Sequence, residues 1–172
     1  YLLDNGLTKF FHWFDYMSWY PLGRPVGSTI YPGMQLTSVA IFYVLEAIGY
    51  PMSINDICCF VPCWGGVLAS VILGLLAYEC TSSANAGSAA AVVMSMIPAH
   101  IMRSVGGGYD NESVAMTAMC LTFYCWARSL RDEGSWVWGV ATGFAYIYMV
   151  AAWGGFVFVL NMVGLHAAVL CA

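Results

Sequence analysis

The residues with the clearest chemical potential are two carboxylates, Asp110 and Glu112, in the stretch RSVGGGYDNE over residues 103–112. Carboxylate oxygens are hard ligands that suit Mg²⁺ or Mn²⁺. A divalent ion held there could grip a pyrophosphate or polarise a substrate group. The three glycines before the acids let the backbone turn sharply and approach a ligand closely. Arg103 adds a fork-shaped donor for phosphate or carboxylate.

The same stretch also fits an ordinary polar loop that leads into a helix. Acidic residues favour helix N-termini because of the helix dipole, and an acid-x-acid pair is a weak motif by itself. Asn111-Glu112-Ser113 also spells an N-glycosylation sequon, which abuts a predicted span and which we interpret as a coincidence. Taken alone, the stretch leaves a metal site and a plain helix start both open.

Two further strings are rich in aromatic residues, glycine and proline. WFDYMSWYPLGRP covers residues 13–25 and runs on to Tyr-Pro-Gly at 31–33, and WGGF covers residues 153–156. Both fit interfacial aromatic anchors and tight turns. The three histidines have no acid or cysteine at ligand spacing, and the seven cysteines form no C-x-x-C pair. Neither residue type is therefore assigned a catalytic role.

The composition indicates that a bilayer surrounds much of the chain. Of its 172 residues 61% are hydrophobic and only 8% are charged, with a mean hydropathy of +0.76. So few charges could not cover the surface of a soluble protein of this size. The formal net charge of −4 argues against nucleic acid, which needs a basic footprint. Because Tyr1 is not Met and Ala172 ends an apolar run, we expect a fragment of a longer protein.

Apolar segments must position the polar strings. We predict an all-α, polytopic membrane helical bundle, in which residues 57–172 hold about five transmembrane helices and the loop at 103–112. Residues 1–56 are predicted to form part of a first external loop, with a surface stretch at 1–32 and a short helix at 34–49. The predicted spans are residues 57–78, 84–102, 113–127, 135–153 and 156–172.

The loop charges predict the orientation of the bundle. Arg128 and Arg131 lie in the short loop 128–134, and positive residues in short loops favour the cytoplasm. Counting back through the spans places the loop 103–112 and the segment 1–32 together on the opposite side. The acid pair and the aromatic string are therefore predicted to face the same lumenal or external compartment.

Taken together, the three strings resemble the catalytic subunit of oligosaccharyltransferase, the family named for staurosporine and temperature sensitivity. WFDYMSWYPLGRPVGSTIYPG resembles the family's first external loop, and RSVGGGYDNES its second external loop with an Asp-x-Glu motif. FAYIYMVAAWGGFVFVLNMVGLH resembles the helix pair that follows. The matches run in the family's order over nearly the whole chain.

The resemblance implies a multi-spanning glycosyltransferase of the GT-C type in the endoplasmic reticulum membrane, with its site facing the lumen. Such an enzyme transfers a preassembled oligosaccharide from a dolichyl-pyrophosphate carrier to Asn in Asn-X-Ser/Thr, with other subunits as further partners. By resemblance, Asp110 matches a metal-binding acid for Mn²⁺ or Mg²⁺, and Glu112 a second ligand or its support. Arg103 matches an arginine that orients the acids or holds the donor pyrophosphate.

The resemblance also implies what the chain lacks. The family's first catalytic acid lies shortly before Tyr1, while a flexible loop with a further Glu and a Trp-Trp-Asp segment lie downstream. We therefore expect the fragment alone to be inactive. Rival interpretations are another dolichol-dependent glycosyltransferase, a membrane transporter and a non-catalytic scaffold subunit. Transporters place functional charges near the bilayer midplane, whereas this acid pair lies at a predicted helix end.

Overall fold

The computed structural model describes residues 1–131 and 134–171, which form helices and no β-strand. An isolated antiparallel bridge joins Asp15 to Arg24. The all-α prediction is thus confirmed. The helices within these ranges are α1 (Leu2–Phe11), α2 (Val26–Thr29), α3 (Gly33–Ile48), α4 (Ile54–Thr81), α5 (Ala84–Met96), α6 (Pro98–Arg103), α7 (Glu112–Ser129), α8 (Trp136–Ala152) and α9 (Phe156–Cys171).

The long helix α4 is the central element of the bundle. It begins at Ser53, whose hydroxyl accepts a hydrogen bond from the Asp56 backbone N–H at 3.1 Å and so satisfies one free donor of the first turn. It runs for 28 residues, and among the described helices it alone is both long and apolar enough to cross a membrane. The apolar helices α3, α5, α8 and α9 are shorter, so the division into about five spans stays a prediction.

The apolar segment 84–102 is not one continuous helix. Ile97 adopts an extended conformation between α5 and α6, with φ −65° and ψ 122°. Pro98 causes this break, because its ring disfavours the helical conformation of the residue before it. The break makes α6 a separate short helix, and Arg103 lies in its last turn.

The segment 1–32 contains more helix than the surface stretch that the sequence predicts. Helix α1 covers Leu2–Phe11 with a non-helical Gly6 inside it, and α2 is a single turn. Gly27 on α2 lies against the α1 backbone, where a side-chain Cβ would be 2.2 Å from the Phe10 carbonyl oxygen. This close approach folds the segment back on itself beside α3.

The core lies where α3, α4, α7, α8 and α9 meet. Helix α7 packs between α4 and α8, and α4 also packs against α5. The core consists of small and medium-sized apolar side chains, which allow the helices to approach closely. Its buried members are Met34, Ile57, Val61, Val114, Ala115, Ala118, Met149, Ala152 and Val159.

An ion-pair cluster joins the far ends of α4 and α7. Glu79 is buried near the end of α4, and its carboxylate lies 3.0 Å from Nη1 of Arg128 and 2.7 Å from Nε of Arg131. Arg131 also donates to the Glu79 carbonyl oxygen at 3.1 Å. A buried carboxylate needs such partners, because leaving it unpaired is strongly destabilising. The cluster therefore fixes how α4 and α7 end.

The packing of α5 on α4 depends on two facing glycines. A Cβ on Gly87 would lie 2.8 Å from the Gly74 carbonyl oxygen, whereas a Cβ on the exposed Gly143 of α8 would meet nothing within 4 Å. We expect Gly87→Val to destabilise the full-length protein by about 2 kcal/mol, since the helices must separate. The melting temperature in detergent, followed by tryptophan fluorescence, measures this. Gly143→Val is the matched control, and an equal loss in both variants would contradict the packing argument.

Candidate functional site

The predicted acid pair and Arg103 are brought together in the structure. Nη1 of Arg103 lies 2.7 Å from Oδ2 of Asp110, and Nε of Arg103 lies 2.8 Å from Oε2 of Glu112. One planar guanidinium therefore bridges both carboxylates. All three side chains are partly accessible, with exposed fractions of 49% for Arg103, 37% for Asp110 and 33% for Glu112. The group can thus exchange partners with a ligand.

The loop between α6 and α7 holds these side chains by local geometry. Gly107 has φ +82°, a conformation that glycine adopts without steric cost, and its N–H donates to the Cys59 carbonyl oxygen of α4 at 3.0 Å. At the other end, Oδ1 of Asp110 accepts from the Glu112 backbone N–H at 3.2 Å. Asp110 therefore also helps to start α7, so the helix-start interpretation and the acid-pair interpretation hold together.

Tyr109 anchors this loop to α3. Its hydroxyl lies 2.7 Å from the hydroxyl oxygen of Ser38 and 3.3 Å from the carbonyl oxygen of Met34. Ser38 is buried and donates in turn to the same Met34 carbonyl at 3.0 Å. Burial raises the pKa of Tyr109 well above its ordinary value, so the phenol stays protonated and available as a donor.

The end of α8 contacts both the loop that carries the acid pair and the start of α3. The side-chain amide of Asn111 donates to the Ala152 carbonyl oxygen at 2.7 Å. Gly33, at the start of α3, lies so close to α8 that a Cβ there would be 2.8 Å from the Ala151 carbonyl oxygen. In the turn after α8, a Cβ on Gly154 would meet the Tyr31 hydroxyl at 2.7 Å. The three sequence strings, distant along the chain, thus form one region.

The aromatic string 13–25 folds as a compact turn. Asp15 and Arg24 exchange two backbone hydrogen bonds of 2.8 Å. The Asp15 carboxylate accepts from the Ser18 hydroxyl and from the Met17 N–H, and these bonds hold the pKa of Asp15 below its ordinary value. The tip beyond Asp15 exposes large apolar side chains, including Tyr16, Met17 and Tyr20. The turn directs Arg24 back toward α3.

A cavity of about 640 Å³ lies between the first loop and the loop that carries the acid pair. Its walls come from two separate parts of the sequence, residues 24–35 and 108–111. Arg24 belongs to the first of these parts and Asp110 to the second. The cavity is lined by Arg24, Thr29, Ile30, Tyr31, Met34, Gln35, Gly108, Tyr109, Asp110 and Asn111.

The donor chemistry of the acid pair fits a hard divalent cation as part of its ligand set. Two carboxylates with partial exposure supply oxygen ligands of the kind that Mg²⁺ and Mn²⁺ prefer. Within residues 1–131 and 134–171, no cluster of three or more His, Cys, Asp or Glu side chains is placed to hold a metal. Asp110 and Glu112 would therefore contribute only part of a complete coordination shell.

Sequence reasoning identified the acid pair and Arg103 but missed the residues that build the cavity around them. Arg24 and Tyr31 lie in a string whose sequence is typical of an interfacial anchor. In sequence alone, Tyr109 and Asn111 resemble ordinary loop residues. Their shared signal is polar side chains beside glycine or proline, which is common in plain turns too. The metal-binding role of Asp110 and Glu112 stays a prediction. The catalytic role of these two acids and of Arg103 stays a prediction as well.

The fold and the site define a helical membrane protein whose loops gather a pair of acids and two arginines at one end of the bundle. The protein-family model described as oligosaccharyl transferase STT3, N-terminal, matches residues 1–171. The chain belongs to this family, which confirms the assignment predicted from the sequence.

Curated relatives agree over nearly the full chain. The dolichyl-diphosphooligosaccharide–protein glycosyltransferase subunit stt3 of Schizosaccharomyces pombe is 44% identical over 170 residues, which cover 98% of this chain and 22% of that protein. The corresponding Caenorhabditis elegans subunit stt-3 is 41% identical over 171 residues, which cover 99% of this chain and 22% of that protein. The chain thus spans about a fifth of the length of these relatives.

A solved structure shares the fold. The chain resembles the archaeal oligosaccharyltransferase AglB from Archaeoglobus fulgidus, solved in complex with an inhibitory peptide and a dolichol-phosphate. The TM-score is 0.63 at 21% identity, and the match covers 86% of this chain and 18% of AglB. The likeness supports the predicted membrane bundle of the GT-C type.

The Tyr109 hydroxyl makes a testable contribution to loop position. We expect Tyr109→Phe to lower the free energy of unfolding of the full-length protein by about 1 kcal/mol, because it removes the bond to Ser38. In the wild-type protein, the contribution of Tyr109 to the free energy of unfolding should fall as pH rises above about 10. In this range the phenol ionises in the unfolded chain but stays protonated in the folded one. Thermal unfolding in detergent at pH 7 and pH 10.5 measures both effects. The exposed Tyr43→Phe is the control, and an equal effect there would refute the anchoring role.

Proposed function

We propose that the full-length protein transfers a preassembled oligosaccharide from a dolichyl-pyrophosphate carrier to asparagine in Asn-X-Ser/Thr of a polypeptide. Family membership over residues 1–171 and the activity for which the relatives are named support this reaction class. The structural observation that carries it is the bridge from Arg103 to Asp110 and Glu112 beside a cavity of about 640 Å³. Other subunits are proposed partners, as the relatives are themselves described as subunits.

Asp110 and Glu112 are proposed as catalytic acids and as ligands of Mn²⁺ or Mg²⁺. When bound, such an ion supplies positive charge that stabilises the departing pyrophosphate. The acids also have a direct role toward the acceptor. An amide nitrogen is a poor nucleophile because its lone pair is delocalised into the carbonyl. Carboxylates that hold the acceptor N–H groups out of the amide plane would rotate the C–N bond and so weaken that delocalisation.

Arg103 is proposed to act on the site through the acids. Its two short contacts engage Nη1 and Nε, so the guanidinium fixes the spacing and orientation of both carboxylates. Of the two roles implied by the resemblance, orienting the acids or holding the donor pyrophosphate, this geometry favours the first. A lysine lacks this fork of two separate donors, so Arg103→Lys would not reproduce both contacts.

The site is proposed to face the lumen of the endoplasmic reticulum. The loop that carries the acid pair is joined to the beginning of α4 by the hydrogen bond from the Gly107 N–H to the Cys59 carbonyl oxygen, whereas the cluster of Glu79, Arg128 and Arg131 lies near the other end. Twenty helical residues separate Cys59 from Glu79, or about 30 Å, which is the thickness of the hydrocarbon core. The arginines then lie on the cytoplasmic side, as positive residues in short loops favour. The lipid tail of the donor could remain in the bilayer while its sugar stays in water.

The acid pair gives a direct test of the activity. We expect Asp110→Ala in the full-length protein to lower glycan transfer to an Asn-X-Thr peptide by at least about 100-fold. The variant loses a proposed metal-binding carboxylate and, with it, an ion-pair partner of Arg103. Transfer is measured over a range of Mn²⁺ concentrations, with melting temperature to verify folding. Asp4→Ala, at a carboxylate with 79% exposed surface, is the matched control. Wild-type transfer by Asp110→Ala would leave the acids as a helix start only.

The chain on its own is expected to be inactive. It spans about a fifth of the relatives' length and holds only part of the proposed metal ligands. A transfer assay on residues 1–172 in detergent or nanodiscs, beside the full-length protein, measures this. Turnover by the fragment would show that Asp110, Glu112 and Arg103 suffice for catalysis.

A further inference from the structure

Arg24 is a cation that faces the proposed site without an acidic partner. Within the described ranges, no carboxylate lies within ion-pair distance of its guanidinium, which donates only to Thr29. It is half-buried and lines the same cavity as Asp110. A partly desolvated and uncompensated charge attracts an anion more strongly than one in bulk water.

Arg103 is in the opposite situation. Its guanidinium already pairs with two carboxylates, so the set of Arg103, Asp110 and Glu112 carries one net negative charge. A phosphate that approached Arg103 would have to compete with both acids. Of these two arginines, Arg24 is therefore the one with charge available for an anionic ligand.

Arg24 is also held in a fixed position before any ligand arrives. Nε donates to the Thr29 hydroxyl at 2.9 Å and Nη2 to the Thr29 carbonyl oxygen at 3.2 Å. The guanidinium carbon lies 5.0 Å from the centre of the Trp19 ring, in a cation–π contact. The two backbone bonds to Asp15 fix the main chain. Nη1 takes part in neither bond to Thr29, and a preorganised donor loses little entropy on binding.

We infer that Arg24 is a binding residue for the pyrophosphate of the lipid-linked donor, which it contacts in the cavity that it lines together with Asp110. This rests on the proposed function, since it names the group that the same site would hold. A pyrophosphate in the cavity would meet the positive charge of Arg24, and a cation held by Asp110 would add further positive charge. Arginine suits this role because its planar fork matches phosphate oxygens.

Donor kinetics in the full-length protein test this role. Arg24→Gln is expected to raise the KM for the dolichyl-pyrophosphate oligosaccharide roughly 10- to 100-fold, the effect of losing one charge-assisted contact. The KM for the Asn-X-Thr peptide and the Mn²⁺ dependence should stay at their wild-type values. Lys9→Gln removes an exposed cation from the same loop, away from the cavity, and should leave donor KM unchanged. A donor KM for Arg24→Gln within twofold of wild type overturns the inference.

A milder variant and a simpler ligand separate anion binding from folding. Thr29→Val removes one hydrogen-bond acceptor of Arg24 but keeps its charge, so donor KM should rise only about 2- to 5-fold. Dolichyl phosphate carries the anion and the lipid without the sugar. Its inhibition constant against the donor should rise in Arg24→Gln in parallel with KM. An unchanged inhibition constant, or equal increases in donor and peptide KM, would show a structural role and overturn the inference.

The two proposals fail in different ways. If the wild-type protein and Lys9→Gln both transfer glycan while Arg24→Gln matches them in donor KM, only the role of Arg24 is wrong. If the wild-type protein itself transfers no glycan from a dolichyl-pyrophosphate donor, the proposed function is wrong and the inference falls with it.

Discussion

The site depends on one ionic interaction, the bridge of Arg103 to Asp110 and Glu112. Two carboxylates one residue apart repel each other, and the guanidinium that contacts both offsets this repulsion. The bridge also crosses the loop, because Arg103 ends α6 and Glu112 begins α7. The position of both helices on α4 is therefore tied to the position of the acids.

The bundle beneath the site explains how this bridge is kept in place. The second loop is attached to α4 through Gly107, to α3 through Tyr109 and to α8 through Asn111. These three attachments lie above a core to which the same helices contribute. These attachments fix the loop that lines the cavity, and fixed side chains are a requirement for positioning reacting groups.

The two ends of α4 use the same chemistry for different purposes. At one end a partly exposed guanidinium holds two carboxylates beside an open cavity, and at the other two arginines hold the buried Glu79. The buried cluster is closed, since its carboxylate is only 4% exposed. The open cluster is accessible to solvent, because its acids keep about a third of their surface exposed. Both clusters pair arginine with carboxylate, so the exposure of their carboxylates distinguishes the candidate site from the structural ion-pair cluster.

Composition and order along the chain were enough to predict the helical membrane class, the acid pair and the family. The hydropathy of a helix depends on the solvent that it faces, so composition predicts the membrane class. The three strings occur in the same order as in the family, so they predict the family. The folding of residues 1–32 was missed in detail, because backbone packing decides it, whereas the break at Ile97 is a local effect of Pro98. The sequence also could not reveal that Arg24 and Asp110 share a cavity, since 86 positions separate them. Only the close approach of α3, α8 and the second loop brings them to one site, and that approach depends on contacts between distant residues.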